Sequence, residues 1–496
     1  MIRNLSNTLL VNKILISFAV LALFFLTAIS CRKDFDESDQ SGLLRFSADT
    51  VTFDTVFTAI GSATLSFKVY NPGNQSIRIS SIALAGGNDS YFRLNIDGEP
   101  VRLASNVEIL PDDSLYIFVA VTIDPTNSDN PMVIKDSVVF DLPDRVQDVK
   151  LIAYGQDVHL INGEILCTQT WTADKPYLVY NSMAVDTGCT LTVEAGAQVY
   201  FHKNSSLIVW GTLLVAGTAG NPVTFQNDRL ESFYDVIAGQ WGTIYIDPIS
   251  QGNMIDYAII RNAIAGIQIG FPSDYRIPEL TLSNSQIMNV SFAGIYAFGA
   301  NLTCYNTVIA DCAGAAAALL RGGNYRFLHC TVSNNGVLGA ARSSPSILLS
   351  NVFYNPEPDE VTGDYVYVER SGDLEEATFA NCILYGNISH EFQFVDNHVN
   401  LFNYKLDHCL IKASEDSIDI NDTDHFAGLI FNKDPRFVND SNRYHLDYRL
   451  DTLSPAMDAG DPGIPVLFPF LQHDITGQSR LADGKPDLGA FERRED

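Results

Sequence analysis

The 496-residue chain is short of positive charge: 31 lysines and arginines stand against 59 aspartates and glutamates, a formal net charge of −28. Nucleic acids and anionic membrane surfaces select for basic patches, so the balance argues against both as partners of the folded body. Long apolar runs are missing too. The run Ile14 to Leu26 falls short of the roughly 20 residues that a membrane-spanning helix needs. No long stretch shows helical periodicity, while strand formers, Asn and Gly dominate. Cysteine is sparse at eight residues, and no CxxC or His-rich cluster suggests structural zinc. No resident cofactor is expected.

What is present at the start is a leader. Arg3 and Lys13 precede the apolar run, no acid occurs before residue 31, and Thr27-Ala28-Ile29-Ser30 leads into Cys31. A basic region, a short apolar region and a small-residue cleavage site describe a secretory signal. The cysteine directly after Ser30 resembles the lipobox of bacterial lipoproteins, in which the thiol is acylated and becomes the new N-terminus. Ala28 departs from that pattern, which usually has Leu there. Lipidation at Cys31 would make the membrane a partner through the anchor. The stretch Arg32-Lys33-Asp34-Phe35-Asp36-Glu37-Ser38-Asp39-Gln40 reads as an acidic tether. It resembles the signal that sends Bacteroidetes lipoproteins to the outer cell surface, which implies an outer-membrane, surface-exposed protein.

Residues 43–158 carry alternating segments with turn signals between them, such as Thr64 to Tyr70, Ser76 to Ile82, Leu115 to Val121, Asp136 to Phe140 and Val149 to Tyr154. Period-two runs at this spacing predict an antiparallel sandwich. The strings "FKVYNPGNQSIRISSI" and "ILPDDSLYIFVAVTIDP" resemble Ig-like modules of the ASPM–SPD-2–Hydin type. Nothing here looks catalytic, and the module reads as a spacer or interaction domain.

Beyond about Trp171 the chain repeats itself. Polar residues ending a strand align at Asp256, Asn284, Asn306, His329, Asn351, Asn381 and His408, at intervals of 28, 22, 23, 22, 30 and 27. A period near 22 with three strands per turn is a parallel β-helix repeat. Asn, Asp and His are the non-glycine types enriched in the left-handed α region that a tight corner needs, so all seven are expected at corners. The next residue (Tyr257, Ser285, Thr307, Cys330, Val352, Cys382, Cys409) is expected to point inward. Of the cysteines, Cys167 and Cys189 are candidates to bridge in an oxidising compartment. The other five, Cys304, Cys312, Cys330, Cys382 and Cys409, read as packed thiols.

The segments "GTLLVAGTAGNPVTF", Trp241-Gly242, "YRLDTLSPAMDAGDP" and "PDLGAFE" resemble bacterial β-helix proteins, the last two their C-terminal part. The expected fold is all-β: a leader over 1–30, a tether over 31–42, an Ig-like sandwich over 43–158, and a right-handed parallel β-helix with a C-terminal cap over 165–496.

Pectate-lyase-like enzymes of this fold carry their chemistry on the outward face of one strand per coil. The outward strip is expected at Gln268, Tyr296, Ala316 and Leu338, which offers neither the paired acids of a glycosidase nor a base. Arg321 and Arg342, 21 residues apart, are expected to stack at one edge. With Tyr296 they are candidates to bind a uronate or sulfate. The insertion Pro356 to Glu376 holds eight acids and is a candidate for Ca2+, although it lacks the spacing of a known loop. Asp458, Asp461, Asp474 and Asp487 are expected to cap the helix end. The functional reading is a surface lipoprotein that binds extracellular polysaccharide or a surface-protein partner without catalysis. The alternatives are a polysaccharide lyase or glycoside hydrolase, and an adhesin or structural component.

Overall fold

The computed structural model describes residues 43–493 apart from 59, 125–131, 359–363, 415–417 and 420. The leader, Cys31 and the tether lie outside the described residues, as do Asp359 and Glu360 of the acidic insertion. Within the described residues the chain divides into two compact units, one built from residues 43–123 and Val133–Tyr154, the other from Gly155 onward.

The first unit is two five-stranded antiparallel sheets. One contains Leu65–Tyr70, Ser114–Val121 and Phe92–Ile96; the other contains Ile77–Leu84, Met132–Leu142 and Arg145–Gln156. Alternation drives burial: in Ile77–Leu84 the side chains of Ile77, Ile79, Ile82 and Leu84 are buried while Arg78 and Ser80 face out. Phe46 and Phe67 of the first sheet meet Phe140 of the second at centroid distances of 5.0 and 6.4 Å, which closes the sandwich. Asn71, fully buried at the expected turn, ties it together by donating to the carbonyls of Gln75, Ile109 and Leu110.

The second unit is a parallel β-helix. Its strands form one 11-stranded sheet and one 17-stranded sheet, and the larger contains two ladders that meet at a corner. Each coil therefore has three faces. The first runs through Ile244–Ile246, Ala265–Ile269 and Ile347–Ser350; the second through Asn253–Asp256, Glu279–Ser283 and Leu374–Ala380. The third, the 11-stranded sheet, runs from His159–Asn162 to Ile430–Phe431. Ile, Val, Leu and Phe at like positions stack up the interior, for example Ile255, Leu282, Cys304, Phe327 and Phe379. Coils lie one hydrogen-bonded strand spacing apart, about 4.8 Å.

The corner between the second and third faces holds most of the expected residues. Asn284, Asn306, His329, Asn381 and His408 all have φ between 47° and 52°. Their side chains link coil to coil: Asn284 donates to Asp256, Asn306 to Asn284, and the amide of Asn381 meets His329 Nε2 at 2.9 Å. Two expected members differ. In the first coil the left-handed residue is Tyr257, not Asp256, so the inward position passes to buried Ala258. Asn351 follows a strand of the first face, Ile347–Ser350, which pairs with Ala317–Leu319, and has no positive φ. The coil after His329 is therefore 52 residues long, closing at Asn381, rather than two coils of 22 and 30. A second corner ladder, Asn227–Asn262–Asn289, joins the third face to the first.

Among the described residues the five unpaired cysteines are all buried, and Cys304, Cys330 and Cys382 stack along the interior. Burial pushes the Cys304 and Cys382 thiols up, away from the reactive thiolate. Cys167 and Cys189 form a disulfide.

The C-terminal segment, expected as a cap, covers the side of the coils. It packs along the outside of the third face and, through Leu471, against Leu328 and Ala380 at the end of the second. Tyr448, Ile475 and Ala490 cover Val308 and Ala310, while Leu450, Ala456 and Leu488 cover Ile383 and Leu410. Its acids brace this cover. Asp461 N–H donates to Asn381, Asp474 accepts from the N–H groups of Thr476, Gln478 and Glu492, and Asp487 accepts from Asp458 N–H.

Candidate functional site, a notch at the first corner

The corner between the first and second faces is turned in two ways. Two coils turn it without insertion, so their strands run on continuously as Ala293–Tyr305 and Ala317–Leu328. The coil before them inserts the loop 271–278, and the coil after them inserts an antiparallel hairpin of strands Val352–Pro358 and Tyr365–Ser371. The insertions leave the stack three coil spacings apart, about 14 Å. The stretch between them, the notch, is turned by Phe298, Gly299, Leu320 and Arg321, with Phe298, Leu320 and Arg321 buried and Tyr275 lying over Arg321.

Arg321 is the unusual residue of the notch. It has φ 60° in a strand irregularity and is 3% exposed. Its Nη2 donates to the Phe298 carbonyl at 3.1 Å; Nε and Nη1 make no hydrogen bond of good geometry, and the side chain interacts besides with Tyr275. The guanidinium carbon lies 4.5 Å from the ring centroid of Tyr275, whose outer face is exposed. Burial pulls the Arg321 pKa below its ordinary value. Across the notch, Arg370 of the hairpin pairs with Glu357 at 2.6 Å and also reaches Tyr275. On the near side Arg276 pairs with Asp274, whose carboxyl is held down at about 2. Tyr275 thus spans the notch above an arginine whose donors are only partly used.

The hairpin has two unlike faces. Cross-strand register puts Tyr354, Pro356, Pro358, Tyr365, Tyr367 and Glu369 on one of them. Tyr354, Tyr365 and Tyr367 are all strongly exposed there. On the other face Phe353 packs against Phe298 at 5.0 Å and anchors the hairpin to the coils.

The remaining expected residues fall as follows. Tyr296 does face outward, half-buried against Phe292 and Phe298, and burial pushes its phenol up to about 12. Its register neighbours are Gln268, Ala318 and Leu348, not Ala316 and Leu338. Ala316 is fully buried, and Leu338 sits in the excursion after Asn334. The corrected strip still contains no carboxylate or base. Arg342 does not stack with Arg321. It lies in that same excursion and makes a bidentate pair with Glu391 at 2.6 and 2.8 Å, with both side chains fully buried.

The acids of the insertion are dispersed. Glu357 serves Arg370, Glu376 pairs with Arg326, and Asp373 accepts from Asn400 and Leu401. Among the described residues no group of three or more His, Cys, Asp or Glu is placed to hold a metal.

A cavity of about 220 Å3 that sequence reasoning missed lies at the second corner, lined among others by Asp235, Arg261, Asn289, Asp311 and Arg443. Asp311 closes the strand "TVIAD", the same kind of strand-end position as the expected corners, at φ 50°. Burial raises its carboxyl to about 6, against a hydrogen bond from Tyr448 and the nearby Arg443.

Comparison with known proteins concerns the fold. Among solved structures, a family 123 glycoside hydrolase from Clostridium perfringens matches at 7% identity and TM-score 0.17, over 23% of this chain and 26% of its own. The chain thus spans about a quarter of that hydrolase's length. The ASH/PapD-like domain of human CEP192 matches at 11% identity and TM-score 0.17, over 25% of this chain and 91% of its own. The catalytic unit of an alpha-1,3-glucanase of family GH87 from Streptomyces thermodiastaticus matches at 7% identity and TM-score 0.23, over 74% and 89%. At these scores the likenesses carry nothing about activity. No curated protein sequence matches the chain. The family described as "Right handed beta helix region" matches residues 242–409, and this stretch is a right-handed parallel β-helix domain.

Proposed function

We propose that the protein is a Cys31-anchored envelope lipoprotein that binds an acidic extracellular glycan in the notch between loop 271–278 and the hairpin. The observation that carries this reading is Arg321, a nearly buried cation with two nitrogens lacking acceptors of good geometry beneath a single tyrosine ring. An unsatisfied buried donor of this kind calls for a reason, and an anion that arrives with the ligand supplies one. A uronate carboxylate or a sulfate ester that displaces Tyr275 would give the guanidinium its missing acceptors. Tyr296 lies on the strand leading into the notch, and the exposed Tyr354, Tyr365 and Tyr367 offer flat apolar faces for neighbouring sugar rings.

The leader, Cys31 and the acidic tether support export and anchoring, and the Cys167–Cys189 disulfide suits an oxidising compartment. Fold alone argues for no particular activity. The test is a polysaccharide panel assayed for retention and for unsaturated or reducing-end products. Retention of acidic members without products is the expected result; retention of none would refute the reading. A lyase or hydrolase is the second reading, favoured by the carboxylates and arginines of the Asp311 cavity. Products from any member would select it.

A further inference from the structure

The cavity at the second corner has a lining that the notch lacks. Two acid–base pairs face it, Asp235 with Arg261 and Asp311 with Arg443, and both are held at 3.8 Å. That separation is within ion-pair range but beyond hydrogen-bond contact. Each pair is kept apart because its arginine is engaged elsewhere. Arg261 Nε donates to Gln226, and Arg443 donates to the carbonyls of Gly336 and Asn335. Both pairs therefore set a donor beside an acceptor in the lining, Asp235 and Arg261 partly exposed and Asp311 nearly buried with a bond from Tyr448. The lining is balanced in charge: an anionic ligand would meet Asp235 and Asp311, and a cationic one would meet Arg261 and Arg443. The rest of the lining sets polar Asn262, Asn289 and His445 beside an apolar wall of Val236, Met288 and Leu446, with the exposed ring of Tyr444 next to them. At about 220 Å3 the space is below the roughly 300–1,000 Å3 of pockets that take drug-sized ligands.

We infer that this cavity binds one residue of a neutral sugar, at a site separate from the notch. A pyranose presents vicinal hydroxyls, each both donor and acceptor, and these bridge the two separated pairs. Its C–H face lies on the apolar wall. Asp311 is positioned for this by its corner conformation and its bond from Tyr448, and Asn289 of the corner ladder borders the same space.

Saturation-transfer NMR on the full chain in detergent, with free glucose, galactose, mannose, xylose, arabinose, rhamnose and fucose as probes and glucuronate as the charged control, tests this. At least one neutral sugar is expected to receive saturation. The signal is expected to vanish in Asp235→Ala and in Arg261→Met, and to persist in Arg321→Gln. Asp235 lies on a short turn with its side chain nearly half exposed, so its removal leaves the coils intact. Three results would overturn the inference: no signal from any neutral sugar, an undiminished signal in both cavity variants, or a stronger cavity-dependent signal from glucuronate. Loss of the signal in Arg321→Gln alone would also overturn it, by moving the site to the notch.

Discussion

Asn306 occupies φ 47° and uses its whole amide: it donates to Asn284 and to the His473 carbonyl, and it accepts from Arg480. Valine there would force a β-branched residue into the left-handed region and strand three partners. Asn306→Val is expected to lower stability by about 2–4 kcal/mol, read as a fall in melting temperature. Nearby, Arg480 is fully buried and surrounded by the carboxyls of Glu492, Asp474 and Asp487. Burial, then the charge of Asp487, raises Glu492 to about 8, and burial raises Asp487 to about 6. A carboxyl raised on folding binds more protons in the folded than in the unfolded chain between its two pKa values. Stability therefore falls as pH rises from the ordinary carboxyl range toward 8. Glu492→Gln is expected to flatten that fall, raising the melting temperature at pH 8 while changing it little at pH 4. Calorimetry at the two pH values would show it, and equal shifts at both would refute the assignment. Arg342 belongs to the same class of buried, paired charges, which is why its spacing from Arg321 had no bearing on a site.

At the scale of elements, the proposed ligand site lies between the hairpin and the loop 271–278. The tyrosine face predicts that Tyr365→Ala and Tyr367→Ala together weaken glycan retention without moving the melting temperature, since both rings are mostly in solvent. Retention equal to that of the unaltered chain would remove the hairpin from the site. Corner chemistry was legible in the sequence because a left-handed corner restricts residue type, and five of the seven expected positions adopt it. The two exceptions have one cause each. At Tyr257 the register slips by one residue, and "ILLSN" around Asn351 imitates a second-face strand while pairing with the first. A spacing of 22 between His329 and Asn351 made that imitation convincing. The insertion expected at Pro356 to Glu376 contains most of the hairpin, whereas the loop 271–278 was not anticipated. The outward strip slipped by two residues at Ala316 for a related reason: in "GAAAALL" nothing but pairing distinguishes inward from outward alanines.

For the whole molecule, charge and leader concern where the protein works, and the coil stack concerns what it presents. The strong acidic excess leaves a buried, partly satisfied arginine as a selective feature rather than part of a general basic field. Long-range contacts escaped sequence reasoning. The lateral packing of the C-terminal segment joins Tyr448 to Asp311 and Arg480 to Asn306 across separations of 137 and 174 residues, which no local pattern encodes. Anchoring is testable directly: Cys31→Ser is expected to move the protein from the membrane fraction to the soluble extract, and unchanged membrane association would exclude the lipid anchor.

The central claim, recognition of an acidic glycan by Arg321, is tested most directly by affinity electrophoresis of the full chain. The gels would contain polygalacturonate, alginate or chondroitin sulfate, each beside its neutral form, carboxyl-reduced for the first two and both carboxyl-reduced and desulfated for the third. Retention by at least one acidic polymer but not its neutral form is predicted, weakened about thirtyfold in Arg321→Gln, as expected for losing one buried charge-assisted pair, and partly restored in Arg321→Lys. Equal retention of Arg321→Gln and the unaltered chain, or equal retention by acidic and neutral forms, would contradict it.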